Sequence, residues 1–488
     1  MELKNRTIQR ISHYLFQSYS FDLRALAFMR IGISIILLLD LLIRSLSIKA
    51  FFTDEGILPI SILKQYHWND FYFSFHALHG DLWLQILLFI LNTVSVFLLL
   101  IGYRTRMLTF ICWVFLVSLQ NRNPFILQSG DDLLRMTLLF SIFLPWGNRY
   151  SVSDSARLPT NYLSFSSIGY LLLVSSVYFF SALLKTSPEW HSEGTAIYYA
   201  LSLDQIRLPL GTLMYPYPSL LKSLTFIVYH IELIAPLILI FPFPKKFKLV
   251  GIILIALLHI GISVTVYVGL FFLIGLVTLL GLMPGITMNW VEQKFKLNQQ
   301  SNKEMPTPYS SSFTFDIINL AKNSFIGMII CYCLLLNLSS LKSFPYGLSS
   351  RVVAFGSILR LEQNWGMFSP YILKDDGYYV FSGLDKQNKP IDIKHQLNKV
   401  SFLKPLPLVS EFESDRWRKY SENYAFKNNN YMRPYYCHYL LKKWNLENPG
   451  NKISELTIYF MKEISLPDYK TKPIEKNVVC NCHINELK

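Results

Sequence analysis

Lys185 is the residue of this sequence whose position most strongly suggests chemistry. It ends the apolar run Val177–Leu184 and precedes Trp190, in a chain that is mostly membrane-spanning. A lysine buried at such a depth is costly to keep charged, and it can then give up its proton and act as a base. The alternative is that Lys185 extends to the lipid headgroups and has no catalytic role. A catalytic role therefore requires that Lys185 faces the protein interior.

Other ionisable residues are predicted to converge on the same, outer half of the membrane. A single histidine in a helix is usually a satisfied hydrogen-bonding group, but several ionisable residues whose helices end on one side favour a polar cavity. We therefore expect Lys185 to have acidic or imidazole neighbours. The candidates are Asp131, Asp132, His230 and His259, and Arg135 and Glu232 lie close to them in the sequence.

The first apolar helix carries three charged residues of its own. Arg30, Asp40 and Arg44 fall within roughly a quarter of a turn when projected down a helix. They are interpreted either as one polar seam that faces other helices, or as an Asp40–Arg44 pair that only fixes packing.

The composition places the chain among integral membrane proteins. Of its 488 residues, 52% are hydrophobic and only 16% are charged, against about 25% in globular proteins. The net charge of +14 does not indicate nucleic acid as a partner, because the basic residues collect in short loops and in the C-terminal third. The expected partner is the lipid bilayer.

Nine apolar segments are predicted, at 25–47, 82–101, 107–120, 132–146, 165–185, 218–242, 247–266, 267–284 and 315–338.

The loop charges predict the topology. Alternate loops are basic, with Arg104 and Arg106 in one and Arg149 and Arg157 in the next, whereas loops 48–81 and 186–217 carry the acidic residues. The positive-inside rule then makes the N-terminus cytoplasmic, and nine spans leave the C-terminus extracytoplasmic. The predicted fold is an all-α polytopic membrane bundle of about nine transmembrane helices, residues 1–342, followed by an extracytoplasmic α+β domain, residues 343–488. Asn298–Ser312 is interpreted as a polar connector.

The C-terminal region has short strand and helix patterns and three cysteines. Tyr378–Leu384, Pro390–Ile393 and Lys452–Ile464 are predicted strands, and Glu411–Phe426 and Tyr431–Trp444 are predicted helices. The three cysteines of this region are Cys437, Cys480 and Cys482. Their spacing matches no recognised metal site, so one disulfide with a spare thiol, or three inert thiols, is favoured over a shared metal.

Several short motifs follow one another in a characteristic order. They are Arg30–Ile35, Ile101–Arg106, Gln120–Pro124, Gly130–Arg135, Phe143–Gly147, Tyr178–Lys185 with Trp190, Gly194–Tyr199, His259 with Leu270–Ile274, and Leu282–Pro284. Together they resemble the HTTM family, the bacterial relatives of the vitamin K-dependent gamma-carboxylase, and the resemblance covers roughly residues 15–290. A further stretch, Gln363–Pro370 with Gly377–Val380, resembles the family's join to the soluble domain.

The resemblance implies a chemistry. In the carboxylase a buried lysine deprotonates a reduced quinone, O2 is consumed, and CO2 is added to a glutamate side chain. Lys185 matches that lysine, although Leu184 stands where the carboxylase has a second lysine, and His259 matches a later histidine. The carboxylase's functional histidine near the fourth span is replaced here by Gly130–Asp132.

The function expected from the resemblance is therefore carboxylase- or oxygenase-type chemistry with a reduced, vitamin K-like quinone, O2 and CO2. Lys185 and His259 would be catalytic, and Asp131, Asp132, Arg135 and His230 would bind the cofactor. The substrate would be a lipid-soluble molecule or a secreted peptide or protein. The alternative is a non-catalytic membrane factor for maturation or export of a secreted peptide.

Overall fold

A computed structural model of the chain describes residues 2–153, 160–296 and 317–486. The predicted connector Asn298–Ser312, together with Arg157 and Lys303, lies outside these ranges. Fifteen helices precede the C-terminal region in the described part of the chain. They are α1 (Glu2–Tyr19), α2 (Leu23–Ser45), α3 (Ile48–Phe52), α4 (Ile60–Tyr66), α5 (Leu82–Leu100), α6 (Thr105–Arg122), α7 (Ser129–Ser141), α8 (Phe165–Leu184), α9 (Ala196–Ser202), α10 (Pro209–Met214), α11 (Pro218–Ile240), α12 (Lys245–Thr265), α13 (Phe271–Leu280), α14 (Gly285–Phe295) and α15 (Ile317–Ser339).

Six of these helices are long and apolar enough to cross a membrane, among the residues that the structure describes: α2, α5, α8, α11, α12 and α15. The count becomes seven if α13 and α14, which are bent by 100° at their break, are taken as one span. A multi-pass membrane protein is therefore confirmed as the class, and each of the nine predicted segments overlaps a helix. The number nine stays a prediction, because α7 has only 13 residues, α13 has only 10, and α6 begins and ends in polar residues.

The contacts between loops show which of them lie at each of the two ends of the bundle. At the first, which we call the amino-terminal end, strand β1 (Phe21–Asp22) pairs antiparallel with β2 (Asn161–Tyr162). Arg24 there forms an ion pair of 2.6 Å with Glu292 of α14. At the opposite end, which we call the domain end, the C-terminal region packs on the bundle: Trp417 donates to Ser47 Oγ at 3.0 Å.

The C-terminal region combines helices with one antiparallel sheet. Its elements are α16 (Ser350–Ile358), α17 (Asp415–Ala425), α18 (Arg433–Glu447), β3 (Asp375–Asp385), β4 (Pro390–Asp392), β5 (Ile453–Ile464) and β6 (Glu475–His483). The sheet order is β4-β3-β5-β6. The three predicted strands and two predicted helices all fall on these elements, whereas β6 was not predicted. The boundary between residues 342 and 343 stays a prediction.

Two of the three cysteines of this region form a disulfide. Cys437 of α18 and Cys482 of β6 are bonded across a sequence separation of 45 residues. Cys480 lies outside this bond. Two of the three thiols that a shared metal would have used are therefore committed to holding α18 on the sheet.

Four buried charged residues join the C-terminal region to the bundle, and we call them the arginine–aspartate quartet. Arg44 bonds to Asp40 and to Asp131, each at 2.7 Å. Arg416 of α17 bonds to Asp40 at 2.7 Å and to Asp131 at 2.5 Å. The Asp40–Arg44 pair expected from the sequence is thus half of a larger cluster. Arg30 does not join it, because its guanidinium donates to the carbonyl of Tyr150 at the amino-terminal end.

Removing Arg416 should destabilise the whole protein. The Arg416→Ala substitution leaves two buried carboxylates with one arginine between them, and breaking such a pair costs about 3–5 kcal/mol. We expect a clear fall in the midpoint of thermal unfolding of the purified protein in detergent. Lys419→Ala, on the same helix, is the matched control, because its ion pair with Glu422 is partly exposed and is worth about 0–1 kcal/mol. Equal midpoints for the two variants would contradict the importance of the quartet.

Candidate functional site

Lys185 is buried and paired at the domain end of α8. Its side chain is only 2% exposed, and Nζ lies 2.6 Å from Oε2 of Glu232. Nζ also donates to Ser181 Oγ at 2.7 Å and lies 4.8 Å from the centre of the Trp190 ring. The ammonium group therefore points into the protein. The carboxylate that it meets is Glu232, which was not among the four neighbours expected from the sequence.

The packing of α8 against α11 brings these groups together. Ser164 caps the start of α8 through a reciprocal capping box, and the helix then runs to Leu184. Residues 178, 181 and 185 are three and four positions apart, so they lie on one face of the helix. The loop after the helix is held by His191, whose Nε2 donates to the carbonyl of Lys185 at 2.6 Å.

Tyr178 and His259 form a second polar contact on the same face of α8. Tyr178 Oη and His259 Nε2 are 2.7 Å apart, and both side chains are buried. The separation of seven positions between Tyr178 and Lys185 corresponds to roughly 10 Å along the helix. His259 Nδ1 is buried and has no hydrogen-bond partner among the described residues. This nitrogen can therefore form a further hydrogen bond without displacing an existing one.

The join segment Gln363–Pro370 covers the Lys185 pair from the domain end. Trp190 Nε1 donates to the carbonyl of Phe368 at 2.9 Å, and Ser187 N donates to the carbonyl of Pro370 at 3.2 Å. Because the Trp190 ring also contacts Lys185, these bonds fix the aromatic side of the site. We call the segment, with Trp190, the roof.

A surface cleft of about 360 Å³ opens beside the roof, and it is lined by residues 187–189 and 371–375. Glu189 and Lys374 are 2.9 Å apart on its wall. Burial opposes charge on both groups, but the hydrogen bond between them prevails. It holds the pKa of Glu189 below, and the pKa of Lys374 above, the ordinary value. The cleft wall is therefore a fixed ion pair at neutral pH.

The structure pairs the other predicted cofactor residues with groups other than Lys185. Asp131 belongs to the arginine–aspartate quartet. Arg135 bonds to Asp132 at 2.9 Å and donates to the carbonyl of Arg360 at 2.7 Å, so this pair fixes the chain that leads into the roof. His230 is exposed and bonds to the carbonyl of Phe226 on its own helix. Of the predicted site residues, Lys185 therefore lies on one face of α8, and His259 of α12 contacts that face through Tyr178.

Sequence reasoning missed Glu232, Ser181 and Tyr178 as site residues. The spacing of 178, 181 and 185 on α8 is a signal that could have identified two of them. Glu232 and His230 are two positions apart and so point about 200° away from each other. The buried positions of α11 recur at Thr225, Glu232, Pro236 and Leu239, and this periodicity favours Glu232 over His230 as the inward residue.

No family model, no curated protein and no solved structure matches the chain. The class defined by the fold and the site is a polytopic helical membrane protein with a buried lysine–glutamate pair at one end of its bundle. Its resemblance to the carboxylase family rests on the sequence motifs alone.

Gly275 on α13 controls the position of His259. A Cβ atom at residue 275 would lie 2.1 Å from both Cε1 and Nε2 of the imidazole. Gly275→Ala should therefore push the ring away from Tyr178 and lower the free energy of unfolding by about 1–3 kcal/mol, the usual cost of overpacking.

Gly261→Ala provides the matched control for this substitution. A Cβ there meets nothing within 4 Å, and alanine is a better helix former than glycine. The two variants should differ in their unfolding midpoints, with Gly275→Ala the lower. A Gly275→Ala midpoint at or above that of Gly261→Ala would contradict the described position of the His259 ring.

Proposed function

We propose that this protein is a carboxylase-like membrane enzyme in which Lys185 and Glu232 handle the proton of a reduced quinone taken from the bilayer. The observation that carries the proposal is the 2.6 Å contact between the two groups inside the bundle. The resemblance of Tyr178–Lys185 and His259 to the HTTM family supports it independently.

An isolated charge in the low-dielectric interior of the bundle costs free energy. An isolated ammonium group there would be expelled or neutralised, whereas a lysine–glutamate pair has no net charge and is tolerated. A proton can pass from Nζ to Oε2 without changing the charge of the pair. Lys185 then has a lone pair with which to accept a proton from a bound hydroxyl group. The pair gains one positive charge in this step, which balances the negative charge left on the bound molecule.

The surrounding residues fit an aromatic diol in chemical type. The Trp190 ring provides an apolar wall at Lys185, and Phe271 packs on His259 with ring centres 5.3 Å apart. The unpartnered Nδ1 of His259 offers a polar group deeper in the bundle. A reduced quinone would supply the electrons that reduce O2, and CO2 would be added to an acceptor side chain; a secreted peptide or protein is the proposed acceptor. Asp131, Asp132, Arg135 and His230 contribute to the fold rather than to this site.

We further propose nine membrane traversals, with the domain end outside the cytoplasm. The contacts support this topology because every loop that follows an odd-numbered predicted segment, from residue 48 onward, lies at the domain end. Basic loops at the amino-terminal end agree with the positive-inside rule. The Cys437–Cys482 disulfide agrees as well, because such bonds persist in oxidising compartments.

A fusion experiment tests the topology. Alkaline phosphatase joined to the C-terminus should be active, since that enzyme matures only outside the cytoplasm, and green fluorescent protein joined to the same position should be dark. The same reporters placed after Arg104 should give the reverse pattern. A fluorescent C-terminal fusion together with an inactive phosphatase fusion would rule out this orientation.

Substitution of Lys185 tests the proton-handling role. Quinol-dependent O2 uptake and incorporation of labelled CO2 by the purified protein should be lost in Lys185→Ala. They should also be lost in Lys185→Arg, because arginine keeps its proton at any usable pH. Glu232→Gln should reduce the rate strongly. His230→Gln, two positions away on the exposed face of α11, should behave as the wild type.

Two results separate the alternatives. Full activity of Lys185→Arg would show that Lys185 is not a base. Wild-type protein that contains no quinone on mass spectrometry and consumes no O2 with added quinol would instead favour the non-catalytic factor for peptide maturation or export.

A further inference from the structure

Helix α14 leaves the direction of the membrane-spanning helices. The two helices are bent by 100° at their break, so α14 runs nearly perpendicular to α13. Its inner face is fixed at the amino-terminal end, where Glu292 accepts from Arg24 Nη1 at 2.6 Å and from Tyr150 Oη at 2.5 Å. Arg24 lies in the first turn of α2, so α14 is held at the level where that span begins.

The outer face of α14 exposes large apolar groups. Ile286 and Trp290 are 53% and 56% exposed, and their spacing of four places them on one side of the helix. Lys294 Nζ lies 4.8 Å from the centre of the Trp290 ring, and Lys294 and Lys296 are both exposed. An apolar strip with lysines at its edge is the pattern of a helix that lies in the membrane interface.

Helix α1 repeats this arrangement at the same end. Ile11, Tyr14 and Leu15 are exposed on one side of it, and Arg10 is exposed at the edge of that side, one turn before Tyr14. Tyr14 Oη donates to the carbonyl of Pro242, in the turn between α11 and α12, at 2.5 Å. Both helices are therefore attached at the ends of membrane-spanning helices.

We propose that α14 lies flat in the headgroup region at the amino-terminal end, and that it binds anionic phospholipid there. Trp290 and Ile286 enter the boundary between headgroups and acyl chains, and Lys294 and Lys296 meet the lipid phosphates. The charge of the two lysines selects an anionic leaflet over a zwitterionic one. This inference does not depend on the proposed enzymatic function.

Fluorescence quenching tests the position of the helix. The full-length protein is placed in nanodiscs whose phospholipids carry bromine close to the headgroup. Trp290→Phe should lower the quenchable fraction of the tryptophan emission, because an interfacial tryptophan is removed. Trp444→Phe, which removes a buried tryptophan of α18, should leave or raise that fraction. An unchanged quenchable fraction in Trp290→Phe would overturn the placement.

Lipid retention tests the headgroup preference. Protein purified from vesicles of phosphatidylglycerol and phosphatidylcholine is analysed by native mass spectrometry. The double variant Lys294→Gln/Lys296→Gln should bind phosphatidylglycerol more weakly, by about fivefold for each lysine removed. The double variant Lys386→Gln/Lys389→Gln, in the turn between β3 and β4, removes the same charge far from α14 and should retain lipid as the wild type does. Equal retention by the two variants would overturn the anionic-lipid assignment.

Discussion

The pairing of buried carboxylates with basic side chains inside the bundle is the constraint on which the rest of this structure depends. Two arginines and two aspartates are buried together at the domain end, and each arginine bonds to both aspartates. Burial of each ion alone would cost several kcal/mol, and the mutual hydrogen bonds offset this only while all four are present. Because Arg416 comes from α17, the C-terminal region cannot leave the bundle without exposing an unbalanced pair of carboxylates. The region is thus an integral part of the membrane fold.

Buried charges are also paired at Lys185, but the bonds that join them are fewer. Lys185 and Glu232 are also neutral together, but a single short contact joins them, and the remaining donors of Nζ go to Ser181. In the quartet, multidentate arginine bonds lock every charge in place, and an arginine keeps its proton. In a lysine–glutamate pair the proton can move between the two groups, and the two side chains can separate. One cluster is therefore suited to holding the fold, and the other to chemistry.

Much of the fold follows from local pattern, whereas the site depends on pairings that local pattern does not reveal. The long apolar runs and the alternating strands were predictable, because each is a property of consecutive residues. Arg416 was not, since its partners Asp40 and Asp131 lie hundreds of residues away. Glu232 was visible as an intramembrane acid, but which residue it meets depends on how α11 packs on α8. Strand β6 lacked the alternation that marked its neighbours, because most of its side chains are exposed.

The chain between α16 and β3 connects the two charge clusters mechanically. Arg135 holds the carbonyl of Arg360 one turn away from Asp131 of the quartet, and Trp190 holds the carbonyl of Phe368 above Lys185. A molecule that reached Lys185 from the aqueous side would have to part this roof and so strain the docking of the C-terminal region. The position of the roof above Lys185 therefore depends on the docking of the C-terminal region on the bundle.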